Sequence, residues 1–552
     1  MNNDGKKIVF CGVIVVMLMA GIIMALLTKN ISDKKERDDR PVDELLEDIS
    51  VTEATPKKGT ISLEDDTLYD ELPSIDKYPL AVQGYGDIDI EIFTSGEKAG
   101  QDTDNFLIEA AEKFNAGGYT LESGETISIS VRSVSSGLAA DYIRSGRYYP
   151  DLYTPSNELF GDFAKAGGAK LDMLADRLVG NTAGILVKKD SGYTDVNSVI
   201  NDVKTGKLNL GYTNPQTSAT GLNLLIEILK TSDESNMFSD TAIEAFSTFN
   251  GNIPYIAYTT QQMRDSAGKG NFDAIVSEYQ AYINDKNLVS QYDFIPFGAR
   301  HDNPLYIVNK NNKSPQEIAA MDIVKDYLLS SDVQAIATRN GFNANDDYQD
   351  DYTTSGSEIV QALEVYKRHK DSGNDIIAVF VADCSGSMDG EPMQQLKYSL
   401  SNGAKYINDN NYIGMVSYSS DVTIELPIAP FDFNQRSYFQ GAIDGLRASG
   451  STYTYEALVV AIDMVQKKHE ENPDAKCMII LLSDGYANGE LHLDNIKGTI
   501  ANAKIPIYTI GYGNDADTNE LQNVSGINEA ASINADSEDI IYKIKSLFNS
   551  QL

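Results

Sequence analysis

Three oxygen-bearing side chains follow directly after a strongly apolar stretch of the chain. Asp383, Ser385 and Ser387 alternate within the pentapeptide Asp-Cys-Ser-Gly-Ser, and residues 376–382 before it have the composition of a buried strand. A carboxylate and two hydroxyls in one turn give hard oxygen ligands on one side of a small cation, which suits Mg²⁺ or Mn²⁺. Because Asp and Ser also favour turns and caps, the pentapeptide alone is compatible with a capped strand-to-helix turn.

Two further segments carry oxygen ligands to positions expected at the same edge of a sheet. Thr452 follows Ala-Ser-Gly-Ser and precedes a helical pattern, and Asp484 terminates the apolar strand 478–482. In an open parallel sheet, ligands bind in the crevice outside the carboxyl ends of the strands. The spacing therefore predicts that three oxygen-bearing loops converge on one divalent cation.

These segments resemble the von Willebrand factor A family, and the resemblance extends over residues 374–552. It implies a doubly wound, Rossmann-like α/β domain with a metal-ion-dependent adhesion site for Mg²⁺ or Mn²⁺. It also implies that a protein ligand presents a carboxylate to the cation. The implied metal ligands, direct or through water, are Asp383, Ser385, Ser387, Thr452 and Asp484. Ser451 is a mild departure, because the family often has Gly at this place.

Length and charge limit the function classes. A chain of 552 residues is too long for one core, which indicates two or three domains. A formal net charge of −36 argues against a nucleic acid partner, since there is no basic field to displace counterions from phosphates. The three cysteines exclude a disulfide framework.

Strands and helices alternate between residues 78 and 347, which predicts an α/β domain with two lobes. We expect strands 183–188 and 293–296 to cross between the lobes and helices 315–330 and 331–340 to pack against the first lobe. The other predicted elements are strands 87–95, 126–134, 208–213 and 272–277, and helices 104–116, 136–145 and 217–230.

Residues 80–345 resemble bacterial extracellular solute-binding proteins of the two-lobed type. The segments that carry the resemblance are 135–140, 150–153, 211–221 and 272–279. It implies that hydroxyl side chains and backbone N–H groups at helix starts hold a small polar or anionic solute in a cleft. The candidate solute-binding residues are Ser135, Ser136, Thr217, Ser218 and Thr220. Plain helix capping explains the same residues, and both interpretations stay open.

The amino-terminal region predicts a membrane anchor. Residues 8–27 form an apolar run after Lys6 and Lys7, long enough to span a bilayer and longer than a typical signal core. We interpret residues 1–30 as an uncleaved transmembrane anchor and the polar, acidic residues 31–77 as a disordered tether. Lysines and arginines after the run outnumber those before it, yet long domains translocate largely regardless of charge. We therefore expect the folded domains to be extracytoplasmic, in part because of the second resemblance.

Together these features predict a single-pass surface protein whose carboxyl-terminal domain mediates metal-dependent protein–protein interaction or adhesion. The alternative is a solute-binding receptor for transport or sensing that uses the two-lobed domain. We do not expect an enzyme, because the sequence lacks G-x-S-x-G, P-loop and H-E-x-x-H motifs.

Overall fold

The computed structural model of the chain describes residues 40–61, 67–253, 255–257, 263–264, 272–349, 353–370, 375–483, 487–512, 517–528 and 532–535. The predicted membrane segment 8–27 and the metal-ligand candidate Asp484 lie outside these ranges. Within them, no helix has both the length and the apolarity needed to cross a bilayer.

The helices of the described residues are α1 (Val42–Leu46), α2 (Leu68–Glu71), α3 (Phe106–Gly117), α4 (Ser136–Ser145), α5 (Glu158–Ala166), α6 (Val196–Lys204), α7 (Ala219–Ser232), α8 (Asp240–Gly251), α9 (Tyr279–Asn284), α10 (Lys286–Gln291), α11 (Pro315–Leu328), α12 (Ser331–Arg339), α13 (Gly356–His369), α14 (Glu391–Gly403), α15 (Phe433–Gly445), α16 (Thr454–Glu471), α17 (Leu493–Ala503) and α18 (Thr518–Ser525). The strands are β1 (Val51–Glu53), β2 (Leu80–Val82), β3 (Ile88–Thr94), β4 (Ile127–Ser133), β5 (Leu152–Thr154), β6 (Leu171–Ala175), β7 (Ala183–Lys188), β8 (Leu210–Thr213), β9 (Tyr255–Ala257), β10 (Ala274–Glu278), β11 (Tyr292–Pro296), β12 (Leu305–Val308), β13 (Ile376–Asp383), β14 (Tyr412–Tyr418), β15 (Val422–Pro430), β16 (Lys476–Ser483), β17 (Ile507–Tyr512) and β18 (Ser532–Ala535).

Two sheets form the lobes of one compact unit, in which residues 67–375 supply both lobes. The first sheet has the strand order β2-β4-β3-β5-β12-β6, and the second has the order β11-β7-β10-β8-β9. Helices α11 and α12 place Met321 and Ile336 in the same core as Ile92 of β3 and Phe106 of α3. The prediction that the last two helices pack against the first lobe is therefore confirmed.

The strands predicted to cross between the lobes instead lie wholly within the second sheet. β7 and β11 pair antiparallel there, with Ile185 opposite Ile295. The expectation of crossing strands is wrong because these apolar residues complete a buried ladder. The chain passes between the two sheets in the more polar segments 176–182 and 297–304, where Asn181 and His301 exchange backbone hydrogen bonds of 2.9 and 3.1 Å.

Helix α13 extends the two-lobed unit beyond the predicted boundary at residue 347. It begins at a capping box, in which Ser355 and Glu358 bond reciprocally to each other's backbone N–H. Its buried face, which includes Ile359 and Tyr366, packs in a core that joins residues of the second lobe to Leu159 and Phe160 of α5.

The second compact unit contains a seven-stranded sheet in the order β1-β15-β14-β13-β16-β17-β18. β13 is central, is buried at all eight residues, and pairs in parallel with β14 and β16. β15 runs antiparallel to β14, as at the edge of a doubly wound sheet. Because β13, β14 and β16 are parallel, their carboxyl ends meet at one edge of the sheet.

Residues 40–61 belong to this second unit, so the prediction of a disordered tether is wrong for them. It is also wrong for residues 67–77 of the two-lobed unit, where α2 forms and Leu72 is buried. Leu45 of α1 is fully buried in the core of the unit. β1 then adds to the sheet in parallel, with Val51 opposite Val422. Further on, the N–H of Gly59 donates to the Ser437 carbonyl at 2.7 Å, and the Ser437 hydroxyl donates to the Gly59 carbonyl at 2.8 Å. One turn of apolar residues and a three-residue strand order this segment despite its acidic composition.

Candidate functional site

Asp383 is the last residue of β13, and its buried carboxylate is held by three donors. Oδ1 accepts the backbone N–H of Ser385 at 2.8 Å. Oδ2 accepts the hydroxyls of Ser483 at 2.9 Å and Tyr418 at 3.1 Å. Burial raises the pKa of Asp383, and these hydrogen bonds offset only part of that effect. The carboxylate is thus fixed in direction, and within the described residues its hydrogen-bond donors are all neutral groups.

The loop after β13 places its two serines side by side. The Oγ atoms of Ser385 and Ser387 are 3.0 Å apart, and Ser385 is buried. The loop is tied to the segment before Thr452, because the N–H of Gly386 donates to the Gly450 carbonyl at 3.1 Å. Two of the three predicted loops are therefore in direct contact.

Thr452 is buried at this edge and is held by a residue that the sequence analysis missed. Its N–H donates to Oδ1 of Asn488 at 2.7 Å, and its carbonyl accepts the N–H of Asn488 at 3.0 Å. Asn488 lies in the loop that follows β16, the same loop that contains Asp484. A single Asn in a loop between a strand and a helix has no spacing rule that would have identified it.

The donor set fits a hard divalent cation. It consists of carboxylate and hydroxyl oxygens, the ligands that Mg²⁺ and Mn²⁺ prefer. Within the described residues, no cluster of three or more His, Cys, Asp or Glu side chains is arranged to hold a metal ion. The described residues that would hold the cation are Asp383 with the hydroxyls of Ser385, Ser387 and Thr452. Cys384 takes no part in our assignment, since burial raises the pKa of its thiol to about 12.

A cavity of about 980 Å³ in the two-lobed unit is lined by residues of both lobes. It brings together four of the five predicted solute-binding residues: Ser135, Ser136, Thr217 and Ser218. Ser135 and Ser218 are the N-cap residues of α4 and α7, yet neither side chain makes a capping hydrogen bond among the described residues. Thr220 is different, because it is fully buried and donates its hydroxyl to Glu278 at 3.0 Å.

A buried ion pair at this cavity also escaped the sequence analysis. The Lys98 ammonium is fully buried and donates to Asn303 at 2.6 Å, Ser95 at 2.7 Å and Glu97 at 3.0 Å. Burial alone would raise the pKa of Glu97, but Lys98 and the hydroxyls of Ser95 and Ser156 outweigh it and lower the pKa to about 2. Adjacent Glu and Lys residues in a glycine-rich segment are ordinary surface composition, so no signal marked them as buried.

The two lobes are joined across the cavity by side chains from the second lobe. Arg264 donates to Asp104 of the first lobe at 2.9 Å. Gln280 donates to the same carboxylate at 2.9 Å and to the Thr103 carbonyl at 3.1 Å. Asp104 therefore receives two donors from the opposite lobe.

Two family models match the chain, one on each unit. The model of the bacterial extracellular solute-binding protein matches residues 99–343. The model of the von Willebrand factor type A domain matches residues 378–548.

Individual proteins match in the same two regions. Inter-alpha-trypsin inhibitor heavy chain H3 of Bos taurus is 34% identical over 158 residues, which are 27% of this chain and 17% of that protein. A solved von Willebrand factor type A structure from Catenulispora acidiphila is 19% identical, with a TM-score of 0.29 and coverage of 32% of this chain and 42% of its own. The sulfate-binding protein SubI from Mycobacterium tuberculosis H37Rv is 15% identical, with a TM-score of 0.35 and coverage of 47% and 88%.

The chain thus spans less than a fifth of the length of that curated relative. The match to the solute-binding model lies within one compact unit, and the match to the von Willebrand model lies mostly within the other. The chain combines a bacterial extracellular solute-binding domain with a von Willebrand factor type A domain.

Proposed function

We propose that the chain mediates protein–protein interaction or adhesion through a divalent cation held on its von Willebrand factor type A domain. The observation that carries this proposal is the arrangement around Asp383. A buried carboxylate with neutral donors stands beside two hydroxyls 3.0 Å apart, at the edge where Thr452 is also held.

The chemistry of these residues explains how such a domain would capture a partner. Mg²⁺ or Mn²⁺ bound there would supply a Lewis-acidic position for a carboxylate of a protein ligand. Asp383 brings the negative charge, and Ser385, Ser387 and Thr452 bring neutral oxygens. Because the hydroxyls do not neutralise the cation, enough positive charge remains to attract an acidic group. Asp484 is proposed as the second anionic ligand on the family motif.

A calorimetric titration of Mg²⁺ and Mn²⁺ into the purified chain tests the proposal. We expect one saturable site that is lost in Asp383→Asn, a change that keeps the size of the side chain and its ability to form hydrogen bonds. Asp389→Asn is the matched control, because Asp389 is an exposed carboxylate in the same loop. Equal metal uptake by both variants and the wild type would contradict the metal-dependent proposal.

Solute capture by the two-lobed domain is our second proposed function. It is supported by the cavity of about 980 Å³, whose lining comes from both lobes and includes four of the predicted hydroxyl residues. This volume is within the range of small-molecule sites. We also propose that the chain is a non-enzymatic surface protein, anchored by residues 8–27 with its folded domains outside the membrane.

A further inference from the structure

The charged residues that line the cavity are mainly acidic. Five carboxylates and two cationic side chains face it: Glu97, Asp102, Asp104, Glu278 and Asp285, with Arg264 and Lys286. Arg264 is paired with Asp104 at 2.9 Å. The lining therefore carries an excess of negative charge beyond its internal ion pairs.

Two hydroxyls that line the cavity, those of Ser95 and Ser156, are directed at a carboxylate of the chain itself. Ser156 donates to Oε1 of Glu97 at 2.7 Å, and Ser95 donates to the same oxygen at 2.5 Å. The Lys98 ammonium reaches that oxygen at 3.0 Å. An incoming sulfate or similar anion would have to take these donors from Glu97 and then lie against its charge. This arrangement denies an anionic solute these two hydroxyls, although the hydroxyls at the helix starts still line the cavity.

Glu278, in the second lobe, differs from Glu97 in its partners. Its side chain is only 5% exposed, and it lines the cavity. It accepts hydrogen bonds from Thr220 at 3.0 Å and Asn181 at 3.1 Å, and Nδ1 of His301 lies 3.1 Å away. Unlike Glu97, it has no lysine or arginine among these contacts. A buried carboxylate in this setting gains from a cationic partner.

We propose that the cleft takes a small organic cation, with an ammonium group of the solute bound by Glu278 and further positive charge placed near Asp285 and Asp102. The inference rests on the second proposed function, solute capture, and narrows its ligand class. Glu97 occupies two of the hydroxyls that an oxyanion could use, whereas the excess carboxylates attract amines. A cavity of about 980 Å³ is too large for a bare metal ion and suits an organic solute.

Isothermal titration of the whole chain with spermidine, L-arginine and choline, beside sulfate and molybdate, tests the ligand class. We expect saturable binding of at least one of the three cations and none of the anions. Glu278→Gln should weaken that binding at least tenfold, while Glu112→Gln, an exposed carboxylate on α3, should leave it unchanged. Asp285→Asn preserves a side chain able to cap α10 and should weaken binding by a smaller factor, which keeps the test valid if Glu278→Gln fails to fold.

The outcomes separate the ligand class from the function beneath it. Binding of sulfate or molybdate without the cations would overturn the cationic class and leave solute capture standing. Binding of none of the five probes would overturn the proposal together with solute capture. Cation binding that both carboxylate variants retain in full would place the solute elsewhere and would also overturn it.

Discussion

The proposed metal face of the von Willebrand factor type A domain, formed by Asp383, Ser385, Ser387 and Thr452, and the proposed solute cleft each contain a carboxylate with little exposure to solvent, but the two carboxylates have different partners. Asp383 accepts hydrogen bonds from an amide and two hydroxyls, and burial raises its pKa. Glu97 also accepts hydrogen bonds from two hydroxyls, but the fully buried ammonium of Lys98 lies 3.0 Å from it. The pKa of Glu97 is therefore lowered to about 2. The charge of Glu97 is neutralised within the chain by Lys98. The charge of Asp383 is not, and an external cation would neutralise it.

Whether a carboxylate already has a cationic partner within the chain indicates whether it can bind an external cation. A buried carboxylate whose hydrogen-bond donors are all neutral is stabilised by a cation that binds beside it, because the fold itself does not compensate the loss of its hydration. Glu278 in the cleft also accepts hydrogen bonds from a hydroxyl and an amide, with Nδ1 of His301 3.1 Å away, and it has no lysine or arginine among these contacts. A carboxylate that already has its counter-ion serves mainly to hold neighbouring hydroxyls in place.

The largest effect is expected when the Lys98 ammonium, the cation that pairs with Glu97, is removed. Lys98→Met removes the fully buried ammonium beside Glu97, whose side chain is 10% exposed, and we expect a loss of about 3 kcal/mol in the stability of the solute-binding domain. Hydrogen exchange of peptides from β3 and β4 measures it locally. Lys113→Met is the control, since that side chain is 55% exposed on the same lobe. Equal protection in the two variants would show that the buried pair contributes little.

The next effect is expected on the other unit. Leu45→Ala removes a fully buried side chain of α1, and we expect it to destabilise the von Willebrand factor type A domain by about 2 to 5 kcal/mol. Peptides of α16 should then exchange faster while those of the cleft do not change. Leu329→Ala, at a leucine 39% exposed, is the control. Unaltered exchange in α16 would mean that residues 40–61 are dispensable for this domain.

The convergence of the Asp383 and Thr452 loops was predictable because much of its signal is local, and metal binding there stays a prediction. Asp383, Ser385 and Ser387 lie in one turn after an unmistakable strand, and a parallel sheet brings the carboxyl ends of its strands together. Asn488 was not predictable as a partner of Thr452, since the two lie in different loops. Lys98 follows Glu97 directly in the chain, but nothing in the sequence marked its ammonium as buried. Residues 40–61 were misread because composition averages over the single turn that buries Leu45.

A smaller effect tests whether Asn488 matters to the metal face. Asn488→Ala removes the acceptor of the Thr452 N–H, so the hydroxyl of Thr452 should be held less firmly toward the cation. One such hydrogen bond is worth about 1 kcal/mol, and we expect Mg²⁺ affinity to fall by roughly threefold to tenfold in calorimetry. Asn502→Ala, at an exposed asparagine of α17, should bind as the wild type does. An unchanged affinity in Asn488→Ala would limit the role of Asn488 to loop structure.

The smallest expected effect is the pH dependence that Glu97 gives to the free energy of unfolding. It tests directly whether Lys98 neutralises this carboxylate. The folded pKa of about 2 lies below the ordinary value of 4.5, so the ionised carboxylate stabilises the folded state above pH 4.5. That contribution is lost as the pH falls through the interval toward 2, and we expect a loss of roughly 1 kcal/mol or less between pH 5 and pH 4. Glu97→Gln has no such charge to lose. The stability gap between wild type and Glu97→Gln, measured by urea unfolding at each pH, should therefore narrow on acidification. A gap that widened instead would mean that Lys98 does not neutralise Glu97, and the contrast with Asp383 would fail.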